Sequence, residues 1–231
     1  MQIGDQSSHM RFGILVFPGT WSDTDCYYAV KDVLKQDAEY VWHQDTNLDS
    51  FDCVIVPGGF SYGDYLRPGA MARFSPVMEA LNKFADSDRL VIGICNGFQV
   101  LTETGLLPGA LLRNAGLKYI CRTVPLRVAT ADSDYTSGYE AGAMIDIPIA
   151  HHDGNYFADG DTIAKLHGED RVAFTYGDNP NGSQSDIAGI LSSNRRVLGM
   201  MPHPERAADA GHGGTDGAAL FRALAGSLVT A

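Results

Sequence analysis

Leu90-Val91-Ile92-Gly93-Ile94-Cys95-Asn96-Gly97-Phe98-Gln99 is the stretch on which the fold turns. Leu90 to Ile94 is a short, unbroken apolar run, the pattern of a strand buried on both faces. From about Asn96 to Thr104 the sequence reads as a helix. Gly93-Ile94-Cys95-Asn96-Gly97 therefore sits at a strand-to-helix turn and has the Gly-x-nucleophile-x-Gly form of a nucleophile elbow. Small flanking residues suit such a turn, because a Cβ on either side would clash as the backbone reverses. The helix N-terminus behind Cys95 favours a thiolate, the nucleophilic form, and its backbone N–H groups can stabilise an oxyanion.

The pattern repeats outward. Toward the N-terminus, Phe12 to Phe17, Tyr40 to Trp42 and Cys53 to Val56 read as further strands, the first and third ended by Pro-Gly. Ser22-x-x-Asp25 reads as a helix start, followed by Cys26, Val30, Val33 and Leu34 at helical spacing. Val77, Met78, Leu81 and Phe84 mark an amphipathic helix. Strand and helix alternate with short loops, which predicts an α/β fold of flavodoxin-like type. Its mostly parallel central sheet carries helices on both faces, with ligands at the carboxyl ends of the strands. The second half adds strands: Cys121 to Thr130, Met144 to Ala150, Thr162 to Leu166, Val172 to Thr175, Ile187 to Leu191 and Val197 to Met201. Ala207 to Gly217 reads as a mobile Gly-rich loop and Gly217 to Val229 as a closing helix. Residues 1–10 are polar and patternless and read as an extension, native or introduced by cloning; residues 11–231 read as a single domain.

Bulk composition narrows the class. A chain of 231 residues, 45% hydrophobic, can build the core of one such domain. Its net charge of −11 and lack of any basic run argue against nucleic-acid binding. No stretch approaches the roughly 18 apolar residues of a membrane span, and no signal peptide precedes the first strand. The four cysteines form no Cys-x-x-Cys pair, which suits a reducing cytoplasm; Cys26, Cys53 and Cys121 read as buried, inert thiols.

A thiolate needs a base for the leaving group and a carboxylate to orient that base. Met201-Pro202-His203-Pro204-Glu205 offers both just past a strand end. His203 and Glu205 are two residues apart, so extended backbone, stiffened by Pro202 and Pro204, would send both side chains to one side. Pro57-Gly58-Gly59-Phe60 follows the third strand and could aim a backbone N–H at an oxyanion. His43, His151, His152, His167 and His212 are scattered and suggest no metal site. Asp64 and Arg67 read as a solvated loop near the site. No P-loop or Gly-x-Gly-x-x-Gly provides for a nucleotide.

With Gly93 to Gln99 and Pro202 to Glu205 together, the chain resembles the class I, triad-type glutamine amidotransferases. Pro57 to Arg67, Leu112-Arg113-Asn114, Cys121-Arg122, Pro148 to His151, Asn179 to Ser183 and Met201 to Arg206 narrow the resemblance to the glutaminase subunits of phosphoribosylformylglycinamidine synthase. It extends from about Phe12 to the final helix. The resemblance implies Cys95 as nucleophile, His203 as general base and acid, and Glu205 as orienting carboxylate. Gly58, Gly59, Asn96 and Gln99 would hold glutamine and its oxyanion. It implies L-glutamine as substrate, hydrolysed through a γ-glutamyl thioester, with ammonia passed on for purine (IMP) biosynthesis. The receiving partner would be a larger synthetase subunit using ATP and Mg, accompanied by a small third subunit; no cofactor is expected on this chain. Two segments depart from the pattern. Trp21-Ser22 stands where a small polar residue and a cysteine are expected, and His151-His152-Asp153-Gly154 where many relatives carry His-Gly-Glu-Gly.

Other readings are a triad glutaminase serving a different synthetase, a γ-glutamyl hydrolase, a cysteine-elbow stress protein of flavodoxin-like fold, and a catalytically silent scaffold subunit. The His-x-Glu near the C-terminus counts against the stress protein, and the intact Cys95, His203 and Glu205 against the scaffold.

Overall fold

The computed structural model describes residues 9–226. Strands β1 (Arg11–Val16), β2 (Asp37–Trp42), β3 (Cys53–Val56) and β4 (Leu90–Ile94) are separated by helices α1 (Asp23–Tyr28) and α2 (Pro76–Asp86), with α1 running on into a π-helical turn over Ala29–Val33. Helix α3 (Asn96–Glu103) leaves β4 through Cys95 alone. Then come β5 (Ala110–Leu112), β6 (Ile120–Val128), β7 (Met144–His151), β8 (Asn155–Phe157), α4 (Gly160–Gly168), β9 (Val172–Tyr176), β10 (Ile187–Leu191), β11 (Val197–Met200) and α5 (Ala218–Gly226).

Nine strands form one sheet in the order β2-β1-β3-β4-β11-β10-β9-β6-β7, and β5 and β8 make a small separate ribbon. From β2 to β11 neighbours run parallel; from β11 to β7 they run antiparallel. Every residue of β3 and β4 is buried, so both faces of the sheet centre are covered. The α/β fold expected from the sequence is thus present, with the second-half strands extending the parallel centre.

Register explains why one edge of this sheet carries the chemistry. Val56 of β3 pairs with Gly93 of β4, and Met200 of β11 pairs with Ile94. The three strands end side by side, so Gly58-Gly59, Cys95 and His203 emerge together. In ladder order β7 lies at the far edge, yet its Pro148 carbonyl accepts a hydrogen bond from the His203 N–H at 2.8 Å. The antiparallel half therefore folds back over the ends of the parallel strands.

Four expectations need correction. Thr162 to Leu166 is helical, inside α4: the Asp159 side chain accepts from the Thr162 N–H at 2.8 Å and caps the helix. Ile163 and Leu166, three apart, then pack inward, and the apparent alternation was incidental. Cys121 is exposed rather than buried, because β6 buries Val124, Leu126 and Val128 and turns the odd-numbered positions outward. Ser22 precedes α1 but its hydroxyl makes no cap; it accepts instead from Arg206 Nη2 at 2.9 Å. Met10, grouped with the N-terminal extension, is fully buried, and its N–H donates to Gln36 Oε1 at 2.7 Å. Residues 1–8 and the end of the closing helix expected to reach Val229 lie outside the described residues. The Gly-rich stretch after Ala207 contains a 3-10 turn at Ala210–His212 and a bridge between Asp209 and Gly214.

Candidate active site

Cys95 has φ 51° and ψ −106°, a backbone conformation that L-residues rarely adopt. Its surroundings impose the turn. The Cys95 N–H donates to the Met200 carbonyl at 2.8 Å, tying it to β11. A Cβ on Gly93 would meet Leu101 Cδ1 and the Gly97 backbone, and one on Gly97 would run into the Val56 carbonyl oxygen. Strand β4 and helix α3 can approach β3 this closely only with glycine at both places. Cys95 is 5% exposed, and its sulfur lies 3.7 Å from the Ala150 carbonyl oxygen.

His203 follows β11, and its ring Nδ1–H donates to Glu205 Oε1 at 2.6 Å. The two side chains are 2% and 0% exposed. Their convergence does not come from extended backbone: Pro204–Ala207 forms a 3-10 turn that brings Glu205 back under the ring. Burial alone would lower the His203 pKa. The nearby charges of Glu205 and Cys95, together with the hydrogen bond to Glu205, outweigh it and push the pKa up to about 10, so the ring carries a proton at neutral pH. Nε2, the other ring nitrogen, makes no hydrogen bond among the described residues. Gly58 lies against both groups: a Cβ there would fall 2.8 Å from His203 Cε1 and 3.4 Å from Cys95 Cβ.

The backbone at Gly58-Gly59 is oriented by β1's outgoing loop. The Gly58 carbonyl accepts from the N–H groups of Trp21 and Ser22 at 3.2 and 3.1 Å. In a planar trans peptide this turns the Gly59 N–H the opposite way, and that N–H has no acceptor among the described residues. Gly59 has φ 133°, and a Cβ would strike the Trp21 nitrogen. Asn96 is the first residue of α3, where a backbone N–H has no intrahelical acceptor. Two unspent donors thus flank Cys95.

The side chains of Asn96 and Gln99 do other work. Asn96 Oδ1 accepts from the Ser61 N–H at 3.2 Å, and Nδ2 donates to Gln99 Oε1 at 2.9 Å and Asp64 Oδ1 at 3.3 Å. Gln99 Nε2 donates to the Asp153 carbonyl at 2.6 Å. Both therefore fasten the 61–64 and 153 loops around the elbow. Asp64 is no freely solvated group: burial, then the nearby charge of Asp153, raise its pKa to about 6. Arg67 is exposed and pairs with Glu103.

A cavity of about 180 Å³ opens over Cys95 and His203, bounded by Trp21, Phe60, Tyr119, Cys121 and Arg206. A larger one, about 840 Å³, lies among Asp132, Arg195 and Arg222 near the start of β4 and contains none of these groups. Behind the cavity, His151 Nδ1–H donates to Asn114 Oδ1 at 3.0 Å. Burial and the proximity of His203 lower its pKa to about 4, so it stays neutral. Motif reasoning assigned no role to Pro148 and Ala150, whose carbonyls hold the His203 backbone and the Cys95 thiol. The only signal for them was the Pro148 to His151 segment noted for its resemblance. Among the described residues, no group of three or more His, Cys, Asp or Glu could hold a metal ion.

A family model for the CobB/CobQ-like glutamine amidotransferase domain matches residues 9–213. The chain is 66% identical over 220 residues to phosphoribosylformylglycinamidine synthase subunit PurQ of Roseobacter denitrificans, covering 95% of this chain and 99% of that one. It is 56% identical to the subunit of the same name from Alkaliphilus metalliredigens, covering 93% and 95%. A chain in the solved structure of PurLQS from Thermotoga maritima superposes with a TM-score of 0.89 at 41% identity, covering 95% of this chain and 99% of that one. A glutamine amidotransferase structure from Thermotoga maritima, 14% identical with a TM-score of 0.57 and covering 87% and 78%, shares the fold.

Proposed function

Because the chain belongs to the CobB/CobQ-like glutamine amidotransferases, and within them to the glutaminase subunits of phosphoribosylformylglycinamidine synthase, we propose that it hydrolyses L-glutamine at Cys95. The Cys95 sulfur attacks the side-chain amide carbon. The developing oxyanion rests on the N–H groups of Gly59 and Asn96, where each good donor contributes about 2.7–4 kcal/mol of transition-state stabilisation. The protonated His203 ring gives its Nε2 proton to departing ammonia, leaving a γ-glutamyl thioester. His203 then takes a proton from water as it attacks the thioester, and glutamate leaves. Glu205 holds the ring and favours its charged form throughout. Asn96 and Gln99 act through the loops they fasten. Pinning those loops keeps the Asn96 N–H aimed at the developing oxyanion.

The observation that carries this reading is the placement of His203. One ring nitrogen is committed to buried Glu205 at 2.6 Å, and the other is unpaired in the cavity it shares with Cys95.

Ammonia goes in the cytoplasm to a larger synthetase subunit, which uses ATP and Mg, in a complex with a small third subunit. Trp21, against Gly59, and Tyr65, Leu66 and Phe74, in the segment after it, are 72%, 75%, 85% and 72% exposed, apolar side chains suited to such a partner. No helix among the described residues is long and apolar enough to cross a membrane. The test is glutamate release from glutamine by the chain alone and with the synthetase subunit. Slow release alone and strong stimulation by the partner are expected. No glutamate in either arm would leave only a scaffold role. Release unaffected by this synthetase would point to a different partner or a free-standing hydrolase.

A further inference from the structure

Among the remaining features, the second cysteine of the catalytic cavity carries the most. Cys26 and Cys53 are fully buried in the core, and burial pushes both thiols up. Cys121 is different: it is exposed, and it bounds the same cavity as Cys95.

The sheet brings the two together through one residue. Cys121 on β6 is the direct antiparallel partner of Ala150 on β7, and the Cys95 thiol lies 3.7 Å from the Ala150 carbonyl oxygen. Opposed residues in an antiparallel pair have Cα atoms about 4.5–5.5 Å apart. Hence the two cysteines reach the cavity from adjoining positions, and a disulfide between them requires their Cα atoms to come within about 7 Å. Among the described residues β7 has a strand partner on one side only, β6, and the Pro148 carbonyl that accepts from the His203 N–H ties this pair to the catalytic loop. Tyr119 lines the same cavity near both cysteines: beyond the effect of its burial, the charges of Cys95 and Cys121 raise its pKa.

We propose that Cys95 and Cys121 form a dithiol site for hydroperoxides, with Cys121 as the resolving thiol for an oxidised nucleophile. The proposal rests on the reading of Cys95 as a reactive thiolate. The Cys95 sulfur attacks one peroxide oxygen; the O–O bond breaks, the alcohol or water leaves, and Cys95 becomes a sulfenic acid. The Cys121 sulfur then attacks the Cys95 sulfur. The S–S bond forms, the S–O bond breaks, and the oxygen departs as water with the Cys121 proton. Two thiols lose two electrons and one hydroperoxide is reduced. The disulfide blocks glutamine attack but is reversible, whereas an unresolved sulfenic acid goes on to sulfinic and sulfonic acids.

The test is to treat the full chain with hydrogen peroxide, digest it without reduction and map cross-linked peptides. Glutamate release is followed before treatment, after it, and after added dithiothreitol. Wild type should yield a peptide pair joining Cys95 to Cys121 and recover most of its own untreated rate. Cys121→Ser should give no such pair, accumulate sulfinic or sulfonic acid at Cys95, and recover less than about a tenth of its own untreated rate. No linked pair in wild type, or equal recovery in both proteins, would overturn the proposal. Alkylation of Cys95 by iodoacetamide in parallel separates the two levels. A Cys95 that alkylates but never links overturns only the role of Cys121. A Cys95 that resists both reagents removes the reactive-thiolate reading and this proposal with it.

Discussion

Glu205 Oε1 lies 2.6 Å from His203 Nδ1 in a pocket closed to solvent, and this contact sets the charge of the ring that faces Cys95. Burial favours neutral imidazole, so the proton that His203 keeps up to about pH 10 depends on the neighbouring negative charge. Glu205→Gln keeps the shape and removes the charge. It should lower kcat for glutamine by roughly 10²–10⁴-fold. The ring should also lose its proton at a lower pH, moving the alkaline limb of the kcat profile downward. A pH–rate series on the two proteins measures this, and an unmoved limb would mean that Glu205 does not control the ring.

The strained backbone at Cys95 predicts a trade between stability and chemistry. At φ 51° a glycine is relaxed and an alanine is not. Cys95→Gly should therefore be more stable than Cys95→Ala by about 1–3 kcal/mol, reversing the usual order, while both lack the thiol. Urea denaturation of the pair decides it; an alanine variant as stable as the glycine one would show that the elbow stores no strain.

Gly97 should tolerate nothing larger. A Cβ at this position collides with the Val56 carbonyl, a backbone atom fixed by the β3–β4 ladder. Gly97→Ala should cost about 3 kcal/mol or more of stability, seen as a large drop in melting temperature. Gly116→Ala, where a Cβ meets nothing within 4 Å, serves as the control and should change little.

His151 should make the fold sensitive to acid. Its folded-state pKa of about 4 lies below the ordinary 6.5. Between these values the unfolded chain binds a proton that the folded chain refuses, so stability is intact above pH 6.5 and falls as pH drops toward 4. For this one group the loss reaches about 3 kcal/mol. Asp64 acts in the opposite sense, its raised pKa of about 6 making the folded state the better proton binder. The informative quantity is therefore the difference between wild type and His151→Gln. Denaturation midpoints from pH 7 to 4 should fall less steeply for the variant, and parallel curves would contradict the assignment.

What could be read from the sequence was what depends on local pattern. Cys53–Val56 and Leu90–Ile94 are strands at the predicted bounds because short apolar runs closed by glycine or a helix start have few alternatives. Cys95 with its flanking glycines, and His203 with Glu205, stand together as the motifs implied. What could not be read depends on distant contacts. The fold-back of β7 onto His203 and Cys95, the 3-10 turn beneath Glu205, and the diversion of Ser22 from a cap to Arg206 each need a partner far away in the chain. Cys121 was misread because an apolar run shows that a strand exists but not which parity faces the core. The side-chain hydrogen bonds of Asn96 and Gln99 to Ser61, Asp64 and Asp153, which join loops distant in the chain, could not be read from the motif either.

The most direct measurement compares wild type and Cys95→Ala in the complex with the synthetase subunit, supplied with ATP and either glutamine or ammonium. Glutamine-dependent synthesis should disappear in the variant, and ammonium-dependent synthesis should remain at the wild-type rate. Retention of glutamine-dependent synthesis by Cys95→Ala would contradict the assignment of Cys95 as the nucleophile.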